Sequence, residues 1–246
     1  MNNVDMAFLL TILAGFSTLI GTIPIFIKLE NEDGIICGSL AFASGVMLCV
    51  SITDLIPESL NMLREYNDIV MIFLCFIFIL IGIIISSIID KTLPTKSNDS
   101  LYKVGLISML AIIIHNIPEG IATFISTTKS ISLGLSLTIA IALHNIPEGI
   151  SISVPIYYST KSKLKAFIYT LVSALSEPFG AVITYLFLIN YVNNTILGLL
   201  FSIIAGIMIQ ISLTELLPTS ISYNNKVVTK LFFGLGIIFM LLKFLF

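Results

Sequence analysis

The chain has 246 residues, of which 57% are hydrophobic and only 11% charged, with 12 basic and 14 acidic residues. A soluble domain carries roughly a quarter charged residues. That deficit excludes an ordinary globular enzyme and a disordered chain. The slight acidic excess and the lack of a basic block exclude a nucleic-acid binder. Apolar stretches of about 20 residues, enough to cross a bilayer, recur along the whole chain. A multi-pass protein of the cell membrane is expected, with the lipid bilayer as its surroundings and no nucleic acid among its partners.

Polar punctuation predicts helices over 4–28, 34–61, 69–89, 101–127, 131–158, 163–190, 195–219 and 227–245. The N-terminus has no basic leader, and the first apolar run is too long for a cleaved signal, so it is expected to stay as a helix. Helices are the expected spans because the runs are continuously apolar, whereas barrel strands alternate. Cys37, Cys49 and Cys75 lie in or beside apolar runs and read as small core or lipid-facing residues, not as a disulfide framework. With no Trp, any aromatic belt must use Tyr.

Basic residues set the expected orientation. With the N-terminus outside, the cytoplasmic side holds Lys28, Lys91, Lys96, Lys103, Lys161, Lys163, Lys165, Lys226 and Lys230. The outside then holds only Arg64, Lys129 and Lys243. This asymmetry favours both termini outside. No loop is long enough for a separate domain, so residues 1–246 read as a single polytopic membrane domain.

Two internal echoes appear. Ser51-Ile52-Thr53-Asp54-Leu55-Ile56-Pro57 resembles Ser212-Leu213-Thr214-Glu215-Leu216-Leu217-Pro218, and Ser17 to Gly21 loosely matches Ser176 to Gly180. Helices 1–3 therefore read as a repeat of helices 6–8. With five helices of offset, the copies run in opposite directions through the membrane, giving a 3+2+3 all-α arrangement of eight transmembrane helices. Inverted repeats of this kind mark alternating-access transporters.

The two histidines of the chain sit in one repeated hexapeptide: His115-Asn116-Ile117-Pro118-Glu119-Gly120 and His144-Asn145-Ile146-Pro147-Glu148-Gly149. Each falls near mid-span, on adjacent antiparallel helices. Glu177 is a third mid-span acid. A charged side chain at this depth costs roughly 2.5–3.5 kcal/mol on insertion scales. Lys and Arg sit almost entirely at helix ends, so these acids need protons or a bound cation. Histidines beside them favour a metal, because neutral imidazole offers one acceptor nitrogen.

Helical spacing explains the motif. With His at 0°, Asn falls at about 100°, Glu at about 40° and Pro at about 300°. Two such faces set opposite each other offer two neighbouring cation positions. One is His-rich, from His115, His144, Glu119 and Glu148. The other presents side-chain oxygens from Asn116, Asn145, Glu119, Glu148 and Glu177. Imidazole with carboxylate suits zinc or iron(II), and amide with carboxylate oxygens suits harder ions. Pro118 and Pro147 withhold the N–H that would bond Ile114 and Leu143, which favours helix kinks beside the ligands. Asp54 and Glu58, near the outer end of helix 2, are candidates for a pathway entrance, and Glu215 for an exit. Met47 offers a thioether that could touch a soft metal.

At these residues the sequence resembles the ZIP (Zrt/Irt-like) family of divalent-metal transporters, and within it the bacterial ZupT-like branch. The resemblance covers essentially the full chain through both hexapeptides and Ser176-Glu177-Pro178. It implies a binuclear site in which Glu119, His144 and Glu148 hold one metal with His115 beside them. Asn116, Glu119, Asn145, Glu148 and Glu177 then hold the second, and Met47 sits where the family has an extra ligand. It further implies import into the cytoplasm, an elevator-like movement of the metal-bearing helices against a scaffold, and homodimers. No prosthetic group is expected. The transported ion is expected to be zinc first, with iron(II), manganese, cobalt or cadmium as further substrates. One departure is the loop from Asp90 to Ser100, which is short and lacks the histidines that many relatives carry there.

Two other readings compete. An intramembrane zinc hydrolase needs metal ligands plus a separate carboxylate base, as in His-Glu-x-x-His, which this motif lacks. An exporter or gated channel could use the same ligands. Since imidazole and carboxylate ligate only when deprotonated, metal affinity is expected to fall between about pH 7.5 and about pH 5.5. A binding titration flat across that interval would remove the histidines from the site.

Overall fold

A computed structural model describes residues 2–27, 31–92 and 100–242, with only the backbone of Ser100. Lys28, Lys96, Lys243 and most of the Asp90 to Ser100 loop lie outside the described residues. Among the described residues the fold is helices joined by short connections, with no strand. Helix α1 (Asn3–Ser17) tightens into a 3-10 segment over Thr18–Phe26. Helix α2 (Glu32–Val50) passes through a π turn (Ser51–Leu55) into α3 (Ile56–Met62). Then come α4 (Asp68–Thr92), α5 (Ser100–Lys129) and α6 (Ile131–Thr160). Helices α7 (Lys163–Ala174) and α8 (Ser176–Ile183) follow end to end, closing with a π turn (Thr184–Leu188). Helix α9 (Asn194–Ile211), a π turn (Ser212–Leu216), α10 (Leu217–Ser222) and α11 (Lys226–Leu241) complete the chain.

Seven of these helical segments among the described residues are long and apolar enough to span a membrane, from Asn3–Phe26 to Asn194–Ser222. Helix α11 has 16 described residues, and the rest of the expected eighth helix lies outside them. Polar caps mark the starts: the side chains of Asn31, Asn193 and Asn225 each accept a backbone N–H of the first turn, and Asn2 with Asp5 forms a capping box. Ile69, Ile72, Phe73, Phe76 and Ile84 of α4 are exposed, which suits a lipid-facing helix. All three cysteines are buried as small core residues, outside any disulfide among the described residues.

The expected long helices are locally broken, for reasons legible in the side chains. Thr53 Oγ1 donates to the Cys49 carbonyl at 2.9 Å, and Thr214 Oγ1 donates to Gln210 at the same distance. Pro57 and Pro218, four residues beyond these threonines, lack the N–H that would bond their carbonyls. Both sequence echoes thus widen into π turns. The expected helix over 163–190 breaks at Leu175, since Pro178 withholds an N–H from Ala174. Pro118 and Pro147, by contrast, lie inside α5 and α6, which run through them as unbroken α-helix.

Helices approach closely at glycines. A Cβ on Gly82 of α4 would collide with the Ile203 carbonyl of α9, and one on Gly206 of α9 with the Ile79 carbonyl of α4. Gly45 of α2 and Gly236 of α11 face the carbonyls of Phe233 and Phe42 in the same reciprocal way. A second set joins the hexapeptide helices to their neighbours. Gly149 meets Thr18 and Gly21, and Gly120 and Gly180 meet the carbonyls of Glu177 and Ile117. Such small-residue contacts let helices pack where no hydrophobic force between them exists in lipid. Ser44 and Ser212 exchange hydroxyl-to-carbonyl bonds of 3.0 and 2.6 Å between α2 and the second echo. Placing a side chain at Gly82 should cost about 1–3 kcal/mol through overpacking. Gly82→Val is therefore expected to lower the unfolding temperature in detergent. Gly234→Val, where nothing lies within 4 Å, should leave it within error of the parent.

Candidate metal site

Helices α5 and α6 are antiparallel neighbours separated by the single residue Ser130, so the two hexapeptides meet at the same depth. The imidazoles pair across the seam rather than within their own motif. His115 Nε2 lies 3.0 Å from Glu148 Oε1, and His144 Nε2 lies 3.3 Å from Glu119 Oε1. The arrangement is crossed, as helical phase requires when two copies of one face oppose each other. His115, Asn116, Asn145, Glu148 and Glu177 are fully buried, Glu119 is 1% exposed and His144 5%.

The third acid enters from α8. Asn145 donates its amide N–H groups to Glu177 and, at 3.0 Å, to the Ala14 carbonyl of α1. Gly15 makes this possible, because a Cβ there would lie 2.6 Å from the Ala174 carbonyl and 3.1 Å from Glu177 Cβ. The glycine contact between Gly120 and the Glu177 carbonyl brings α8 against α5 at the same level.

Eight buried polar atoms of these residues have no hydrogen-bond partner: Nδ1 of both histidines, both amide atoms of Asn116, Asn145 Oδ1, and one oxygen each of Glu119, Glu148 and Glu177. Buried polar groups are nearly always satisfied, and each exception costs about 1–3 kcal/mol. Eight orphans in one place suit a cation or water. Apart from the Asn116 amide nitrogen, all are imidazole nitrogens or carboxylate and amide oxygens, the mixture of donors that borderline divalent metals accept. As the side chains stand, no three His, Cys, Asp or Glu groups among the described residues are placed to hold one ion. Each imidazole instead faces a glutamate, and an ion held here would exchange those pairs for coordination.

A cavity of about 940 Å³ leads to this centre. Glu119 and His144 form part of its wall, together with Asp54 and Glu58 of α3 and the preceding π turn. The expected entrance acids and two of the expected ligands thus share one space. Asn61, Ser126 and Phe201 also line it and were not singled out from the sequence. Helical spacing could have found two of them, since Asn61 follows Asp54 and Ser126 follows Glu119 by two turns. Glu215 lies elsewhere, half-buried in the second echo and within electrostatic reach of Asp90 and Lys103. Met47 is fully buried in the main apolar cluster.

A multi-pass helical membrane protein with a duplicated imidazole and carboxylate centre at the end of an open cavity has the construction of a metal-ion carrier. Residues 96–243 match the family model described as ZIP Zinc transporter. The chain is 41% identical to a protein of Clostridium perfringens named Zinc transporter ZupT, covering 92% of this chain and 90% of the relative. Proteins of the same name from Streptococcus mutans and Campylobacter jejuni are 42% and 37% identical. The alignments cover 89% and 90% of this chain, and 89% of each relative.

The chain belongs to the ZIP family of metal-ion transporters, in its ZupT-like branch. It is a multi-pass transporter of the cell membrane, not an enzyme, which sets the hydrolase reading aside. Removing the His115 ring would strand the Glu148 carboxyl without its partner. His115→Ala is expected to destabilise the metal-free protein by about 1–3 kcal/mol. His115→Gln, which keeps a donor, should lose less, and thermal unfolding in detergent compares the two.

Proposed function

We propose that this protein imports divalent transition-metal ions, zinc first among them, by alternating access through a mid-membrane binuclear site. The observation that carries this is the meeting of the two hexapeptides in crossed His–Glu pairs beside an open cavity. In this reading Glu119, His144 and Glu148 hold one ion with His115 beside them. Asn116, Asn145 and Glu177 complete a second position with the two shared glutamates. Met47 supplies an extra soft ligand in another state. The mixed nitrogen and oxygen donors suit iron(II), manganese, cobalt and cadmium as further substrates.

The same reading takes the chain as one membrane domain of eight spans with both termini outside, related as inverted repeats around the central pair α5 and α6. Three features support it. Both sequence echoes become π turns with a proline two residues beyond their ends. The glycine contact between α2 and α11 has a counterpart between α9 and α4, with Gly45 and Gly206 in equivalent places of the two echoes. The contacts of Gly149 with the Thr18 carbonyl and of Gly21 with the Ile146 carbonyl are likewise matched by those of Gly120 with the Glu177 carbonyl and of Gly180 with the Ile117 carbonyl. Two quasi-equivalent halves of opposite direction can exchange roles at the two faces, which is the physical basis of alternating access. The cavity lies on the side of Asp54, Glu58 and Ser126, which this topology makes the outside. Import direction and a homodimeric assembly follow from the family resemblance.

Uptake of radiolabelled zinc into proteoliposomes tests the site. Glu119→Ala and Glu148→Ala each remove a shared bridging carboxylate, and uptake should fall by about tenfold or more. Equal uptake by both variants and the parent would reject the mid-membrane site. The parent should also bind zinc in detergent, while each variant should bind more weakly by a similar factor.

A further inference from the structure

Two ion pairs lie far from the hexapeptides. Lys161 Nζ is 2.6 Å from Glu32 Oε2, joining the end of α6 to the first turn of α2. Lys103 Nζ is 2.6 Å from Asp90 Oδ1, joining the first turn of α5 to the last turns of α4. Each pair therefore ties a helix that carries a hexapeptide to one that carries none. At about 1.5 Å of rise per residue, Lys161 lies about 20 Å along α6 from Glu148, and Lys103 about 18 Å along α5 from His115. Because α5 and α6 are antiparallel, both ties fall on the same side of the site. The cavity opens on the opposite side, between Asp54 and Glu58 on one wall and Ser126 and His144 on the other.

Between site and ties the interior is mostly apolar, with Ser108, Ser151 and Ser153 buried in it. Ile112 of α5, Ile152 and Ile156 of α6, and Leu40 of α2 are fully buried in one cluster. The molecule is thus open on one face, sealed by side chains below the site, and pinned by charge on the other face. Lys161 is held for its part. It caps α6 in the left-handed conformation, with φ 54°, and its N–H donates to the Tyr157 carbonyl at 2.6 Å. Its ammonium lies 5.1 Å from the centre of the Tyr158 ring. A cation at the end of α6 and an anion at the start of α2 each favour their own helix dipole. Both charges are therefore stable apart, and the contact between them exists only while the two helix ends stay together.

We propose that Glu32–Lys161 and Asp90–Lys103 form a latch that holds α5 and α6 against α2 and α4 on the face away from the cavity, and that this latch must open for bound metal to leave on that side. The proposal rests on the alternating-access reading. Glu32–Lys161 is exposed and Asp90–Lys103 half-buried, and solvent-facing pairs of this kind shift an equilibrium by up to about fivefold each. Two of them bias the open-cavity state without locking it, as a carrier that must cycle requires.

Cross-linking tests the latch directly. Glu32→Cys with Lys161→Cys, bridged by a short bifunctional methanethiosulfonate, should bind zinc as before yet lose uptake in proteoliposomes by tenfold or more. Dithiothreitol should restore uptake. Undiminished uptake by the bridged protein would overturn the latch. Zinc binding by the unbridged variant checks the underlying reading separately, and its absence there would sink both. A second test needs no cross-link. In a Ser126→Cys background, Lys103→Glu with Lys161→Glu should reduce labelling of the introduced thiol by an impermeant maleimide severalfold. Adding Asp90→Lys and Glu32→Lys should restore it. Labelling that ignores all four charges would also overturn the proposal.

Discussion

Three carboxylates lie inside a protein built to sit in lipid, with no lysine or arginine at their depth among the described residues. The rest of the structure depends on how that charge is met. Water cannot reach the buried oxygens freely, and the lipid offers nothing. Charge balance at the centre therefore has to come from protons, on imidazole or carboxyl, or from a bound cation. The crossed His–Glu pairs are the first answer, and the eight unpartnered atoms around them leave room for the second. A site that satisfied itself completely would have no reason to accept an ion. One with no internal partners would be expensive to keep folded between ions.

The packing serves that centre. Helices that carry the candidate ligands must come close enough for side chains two or three bonds long to meet. Gly120 and Gly180 bring α5 against α8, Gly149 and Gly21 bring α6 against the 3-10 end of the first helix, and Gly15 lets Ala14 offer its carbonyl to Asn145. Away from the centre, α2 and α11 meet at one glycine pair and α4 and α9 at another. Ser44 with Ser212 and Ser59 with Ser202 add short polar contacts, where small residues leave space for them. The π turn of the first echo lines the cavity with Asp54, and that of the second carries Glu215 away from it.

This division gives the protein two faces of different character. Toward the cavity the walls are mixed, with acids beside Phe201 and Ser126. On the other side buried isoleucines pack between the helices, and ion pairs join helix ends. Apolar packing resists opening in proportion to the surface it hides, whereas exposed ion pairs resist weakly and over a short range. In the alternating-access reading, the second kind of resistance belongs at the face that must open and close.

Composition and patterning alone determined a great deal here. Long apolar runs admit only spanning helices, because backbone polar groups in lipid must be satisfied within the segment. Two identical hexapeptides holding every histidine of the chain marked the centre, and helical phase placed Glu on the same face as His and Asn. What sequence could not decide was whether each histidine meets the glutamate of its own motif, one turn away, or that of the other, since that depends on how closely α5 and α6 approach. Nor could it show that Asn145 is oriented by the carbonyl of Ala14, a contact 131 residues distant and carried by backbone that any residue could supply. The breaks at Leu175 and at the π turns were hidden for a similar reason, because threonine hydroxyls and a following proline act on carbonyls that hydropathy does not register. Sequence fixes where charge and apolar surface fall along a helix. Only the tertiary structure decides which surfaces face each other, because that choice is made by close backbone approach at glycines and by the order in which helices cross.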